Sequence, residues 1–225
     1  MYLFNRVLAA ITALLGASTP TPAGVTTQVN PQNILFSVPT LNDALPDTFA
    51  ETAPSSSTII IHEDDWRQFE FVSASFKPLI DQELADIDAI WKTKSVKSDQ
   101  YTAFHSIHIR KRIPDPFAKP IPAAGLTSLF PAAPSSFTFR DRPQILKDVV
   151  AWRTAGIIFY ATIHENAAYT FGIQLEAKPS LDHDTSARIT QFMKDHDLLL
   201  IHWPSRTVLD SSASVESFLE GRKIN

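Results

Sequence analysis

The chain has 225 residues and a formal charge of −4, from 20 Lys and Arg against 24 Asp and Glu. It lacks cysteine, which excludes disulfides, thiol catalysis, zinc–thiolate sites and iron–sulfur clusters. The acidic balance argues against a nucleic-acid partner, whose phosphates call for a basic face, while an apolar content of 44% is enough to build a core.

Residues 1–56 read as an N-terminal helix followed by extended chain. Leu3, Phe4, Val7, Leu8, Ile11, Leu14 and Leu15 recur with helical period, Gly16 supplies a stop, and Pro20 and Pro22 prevent continuation. The expectation is a helix over 3–15, docked by Leu8, Ile11 and Leu15, in a cytoplasmic protein. The alternative is a signal peptide cut after Ser18 or Ala23, which makes the protein periplasmic or secreted. No stretch has the length of a membrane-spanning helix. Six of the 16 prolines fall between residues 18 and 57, where Asn33 to Val38 is the one strand candidate.

The block 57–112 predicts strand, acidic turn, strand, helix, strand. Its helix carries Ile80, Leu84, Ile87 and Trp91 on one stripe and Asp81, Asp86 and Asp88 on the wet side. Residues 113–140 form a proline-rich connection. Phe117, Ile121, Leu126, Leu129 and Phe130 make it too apolar for a free linker, so an ordered wrap is expected, and a long wrap is a candidate recognition surface.

The block 141–225 opens on an expected helix, with Asp141 as N-cap, Pro143 in the first turn and Ile145, Leu146, Val149 and Trp152 facing inward. Residues 156–210 then repeat the order of the first block. Their helix buries Ile189, Phe192, Met193 and His196, with Asp182 or Asp184 as cap. A short last helix is expected with Ser214 as cap, Val215, Phe218 and Leu219 inward, and Gly221 as stop. The expected fold is α+β: one body with an antiparallel sheet from two β-β-α-β units, packed helices and the proline-rich connecting wrap.

The densest polar cluster is Glu63, Asp64, Asp65, Trp66 and Arg67, with Glu70 following. An aromatic and an arginine beside three carboxylates are residue types enriched where partners are gripped. The competing reading is a solvated hairpin turn. Glu165 occupies the matching turn of the second block. His105 and His108 sit in a predicted strand, where positions three apart face opposite sides, so they do not share an ion. Asp182-His183-Asp184 and Asp195-His196-Asp197 stand at opposite ends of one helix, about 20 Å apart, and read as helix-end residues. Neither a metal nor another cofactor is expected. The sequence carries no GxSxG elbow, P-loop or GxGxxG.

The string from Glu63 to Glu70 resembles turns in small acidic bacterial immunity proteins, which bind and neutralise a toxin delivered between competing cells. The ending from Leu198 to Asp210 is similar in style to the closing hairpin of such α+β proteins. The resemblance implies a non-catalytic protein-binding protein with a basic partner, and Glu63, Asp64, Asp65, Trp66, Arg67 and Glu165 are the candidate contacts. The alternative is a hydrolase, with Glu63 or Asp64 as base and Glu165 as acid, in which Trp66 and Tyr169 wall the site and raise one pKa.

Overall fold

The computed structural model describes residues 34–130, 132–154, 156–176 and 183–219. The expected helix over 3–15, Asn33, Asp182 and Gly221 lie outside them. Strands β1 (Thr40–Asn42), β2 (Ile59–Ile61) and β3 (Phe69–Ser73) come first, then helix α1 (Lys77–Lys94) and the short strands β4 (Ser95–Lys97), β5 (Thr102–Phe104) and β6 (His108–Arg110). The wrap contributes β7 (Ile121–Pro122) and α2 (Ala123–Thr127). β8 (Ser135–Phe139), β9 (Val149–Thr154), β10 (Ile157–His164) and β11 (Ala167–Leu175) follow. The chain closes with α3 (His183–Asp195), β12 (Leu198–His202), β13 (Thr207–Leu209) and α4 (Ser212–Leu219).

The fold is α+β around a mostly antiparallel nine-stranded sheet, in the order β13-β12-β3-β11-β10-β9-β8-β2, with β7 beside β11. β2 joins β8 in parallel. Strands of the first and second blocks interleave, since β3 sits between β11 and β12.

Both faces of the sheet are covered, and the strands show it. In β10, Ile157, Phe159 and Ala161 enter one core, while Ile158 and Tyr160 enter another. Apolar residues on both sides of a strand are the mark of a sheet buried on both faces. One face packs on α2, α3, α4 and the wrap, whose Phe117, Ile121, Leu126, Leu129 and Phe130 are all buried. The other face divides in two. α1 lies over β3 and β12 with Ile80 and Ile87 fully buried, on the stripe the periodicity marks. The other half surrounds Trp66 with Ile59, Phe137, Phe139 and Tyr160.

Beyond the segment 62–68, the structure departs from the sequence-based expectation at several elements, and the strand expected to hold His105 and His108 is broken into β5 and β6 with His105 between them. Residues 141–152 do not form a helix. Asp141 has φ 66°, and the chain runs as an irregular segment into β9. The amides of Ile145, Leu146 and Lys147 donate to the carbonyls of Thr52, Phe137 and Thr48, so their hydrogen bonds go to distant segments and not up a helix. The strand candidate ending at Val38 contributes a single bridge, Phe36 to Phe104, and the strand proper starts at Thr40. At α4 the capping serine is Ser211: its Oγ accepts from the Ser214 amide at 3.3 Å, and Ser214 lies inside the helix.

Candidate functional site

The acidic segment 62–68 connects β2 to β3, and the sheet dictates its course. The pairings make β2 and β3 run in the same direction, five strand positions apart. Parallel strands cannot be joined by a tight hairpin. The segment therefore crosses the sheet face diagonally, over β10, and is buried by what it crosses. This replaces the solvated hairpin turn that the sequence suggests.

The crossing begins with one 3-10 turn, Glu63–Asp65, in which His62 Nδ1 accepts from the Asp64 amide at 3.2 Å. Trp66 then turns into the core, 1% exposed and stacked on Tyr160 with ring centroids 4.8 Å apart. Its indole N–H donates to Ala44 O at 2.9 Å. Arg67 adopts φ 55° and is also 1% exposed. Its amide donates to Tyr160 Oη at 2.7 Å, and its guanidinium bonds Glu70 Oε2 (2.5 Å), Pro114 O (2.9 Å) and Ile113 O (3.0 Å). Glu70 Oε1 accepts from the Trp203 indole at 2.8 Å.

Arg110, from β6, completes the network. It donates to Arg67 O at 2.5 Å and lies 4.8 Å over the Trp203 ring. Burial pulls its pKa down to about 10, against the raising influence of Glu70. Burial likewise holds the Tyr160 phenol above its ordinary pKa. Two buried arginines around one buried glutamate bolt the crossing segment to the wrap and to β6.

The candidate contacts thus separate. Asp64, Trp66 and Arg67 are buried, and Trp66 and Arg67 serve as core. Glu63 is partly exposed and tied to Arg142 at 2.6 Å. Asp65 is partly exposed; burial raises its pKa, helped by the Asp64 charge and opposed by His62 and Arg140. Glu165 is 81% exposed at the tip of the β10–β11 hairpin. Glu165 and Asn166 both have positive φ, the backbone of a two-residue hairpin turn whose twist suits the flanking strands. β2 and β10 are three strand positions apart, about 14 Å along the sheet.

The sequence from Asp43 to Trp66 holds six carboxylates and neither lysine nor arginine. Its first part, residues 43–52, is a strap over the Trp66 core: Leu45 and Phe49 pack inward, while Asp43, Asp47 and Glu51 are exposed. Asp43 is 3.7 Å from Lys111. The strap was unmarked in the sequence reading, although its signal, acids at every fourth position without a base, was there.

Two further features were missed. Glu83 and Asp86 of α1 converge with His108 of β6. The i,i+3 spacing was visible, but the histidine comes from 22 residues further on. A cavity of about 430 Å³ opens between the wrap and the end of α3, lined by Ser73, Ser75, Phe117, Lys119, Asp195 and His196 among others.

No family model matches the chain, and neither a curated protein nor a solved structure matches it.

Proposed function

We propose that this chain is a non-catalytic protein-binding protein, an immunity-type inhibitor of a basic toxin domain, acting in the cytoplasm. One observation carries the reading: the uninterrupted acidic stretch from Asp43 to Asp65 is laid along one side of the body as strap and crossing segment. Asp43, Asp47 and Glu51 are exposed and Glu63 and Asp65 half-exposed; Lys111 offsets Asp43 and Arg142 offsets Glu63, so Asp47, Glu51 and Asp65 carry the acidic character of that side. Such a surface steers a basic partner and rejects acidic ones. Trp66 supports it from beneath by holding the strap through Ala44, and Arg67 anchors the crossing segment to the wrap. The hydrolase alternative gains nothing from this arrangement, because Glu63 is neutralised by Arg142 and Glu165 stands in solvent.

The same reading takes the body as two β-β-α-β units, β2-β3-α1-β6 and β10-β11-α3-β12, with β6 paired to β1 beside the main sheet. The strand-strand-helix order common to both supports it, β4 and β5 being additional strands in the first. A mature chain lacking residues 1–18 or 1–23 would make the inhibitor periplasmic or secreted.

The test is affinity capture from native cells, identification of the partner, and measurement of Kd against salt. The expected partner is rich in Lys and Arg, and its binding weakens as salt rises. The variant Asp47→Lys/Glu51→Lys/Asp65→Lys is expected to weaken binding by about tenfold or more. An acidic partner, or unchanged affinity in that variant, overturns the proposal.

A further inference from the structure

The geometry points to a divalent-cation site of the zinc class, built from Glu83, Asp86 and His108 where β6 crosses α1. Glu83 and Asp86 are one helical turn apart and share a face. His108 meets that face from β6. One donor atom from each residue lies within 4.8 Å of the others. Around an ion with bonds of about 2.0–2.2 Å, neighbouring donors stand about 3–4 Å apart. His108 Nε2 is 4.0 Å from Asp86 Oδ2 and in closer contact with Glu83 Oε2, so small side-chain rotations complete the set.

The central ligand is already oriented. Glu83 is 1% exposed, and its second oxygen, Oε1, accepts from the main-chain N–H groups of Lys111 (3.2 Å) and Arg112 (2.9 Å). This clamp leaves Oε2 aimed at His108 and Asp86, as outer-shell hydrogen bonds aim metal ligands.

The protein's own cation marks the spot. Arg112 Nη1 lies 2.7 Å from Asp86 Oδ2 and 3.2 Å from Glu83 Oε2. Its side chain is 38% exposed and free on the solvent side, so an entering ion displaces it. Two carboxylate oxygens and one imidazole nitrogen suit zinc better than magnesium or calcium, which favour all-oxygen sets. Three protein ligands leave a fourth tetrahedral position for water. The site is independent of the partner-binding reading.

Full-length, tag-free protein titrated calorimetrically with zinc chloride tests it. One equivalent is expected to bind and to raise the thermal midpoint. Asp86→Asn, at a half-exposed position, and His108→Gln are expected to weaken binding by about tenfold or more. Arg112→Ala is expected to bind zinc more tightly, because it removes the competing cation. His105→Ala, at an exposed histidine outside the set, is expected to bind as the natural chain does. The proposal fails if neither the natural chain nor Arg112→Ala binds zinc, if Asp86→Asn binds with unchanged affinity, or if His105→Ala abolishes binding.

Discussion

Tyr160 lies with its ring across the α-carbon of Gly172, its partner in the β10–β11 ladder. A Cβ at position 172 would fall inside contact distance of two ring carbons and the hydroxyl oxygen. The ring is held from its other side by Trp66 and at its hydroxyl by the Arg67 amide, so it has nowhere to go. Gly172→Ala is therefore expected to cost about 2–3 kcal/mol as an overpacked core. Urea unfolding gives the measurement, and an unchanged midpoint would show that the ring yields.

Glu70 lies between two buried arginines, bonded to Arg67 and acting on Arg110. Removing a partner from a buried pair leaves charge without compensation, at about 3–5 kcal/mol. Glu70→Ala is expected to lose stability on that scale, and to lose the ordered Trp203 environment seen by near-ultraviolet circular dichroism. A loss typical of an exposed pair, below about 1 kcal/mol, would contradict the buried network.

Asp65 shows the opposite sign. Burial raises its pKa in the folded state, so its ionisation opposes folding at neutral pH. Asp65→Asn is expected to stabilise the protein at pH 7. The gain should shrink to nothing as pH falls below the unfolded aspartate value of about 3.9, where the natural side chain is neutral in both states. A destabilised Asp65→Asn at pH 7 would refute this.

His202 packs edge-on to Phe69, and its Nδ1 bonds Ser205 Oγ at 2.6 Å. Burial, then the Arg110 charge, lowers its pKa to about 4. The unfolded chain therefore takes up this proton first. Stability should be fully present above about pH 6.5 and decline from there toward pH 4. His202→Gln is expected to flatten the stability profile across that window. An unaltered slope would exclude His202 as its source.

Much of the secondary structure was legible locally. The helices α1, α3 and α4 follow apolar stripes, because a helix closes its hydrogen bonds within four residues and needs only one face covered. The apolar residues of the wrap likewise announced their burial. Residues 141–152 carry a helical stripe too, yet Thr52, Phe137 and Thr48 take the hydrogen bonds of Ile145, Leu146 and Lys147. Those acceptors belong to other segments, and no local pattern reports them.

The sequence by itself determined the acidic balance, the absence of thiol chemistry and the α+β class. Only the tertiary structure decided what the acidic segment is. Glu63 to Arg67 has the composition of an exposed turn, but β2 and β3 run parallel at separated positions in the sheet. The joining chain must cross the sheet face, and that crossing buries Trp66 and Arg67 while leaving Asp65 half open. Strand order is set by pairings between residues up to a hundred or more positions apart, such as Phe71 with Leu200. Local periodicity shows which residues share a face of an element, and only the assembled sheet shows what that face meets.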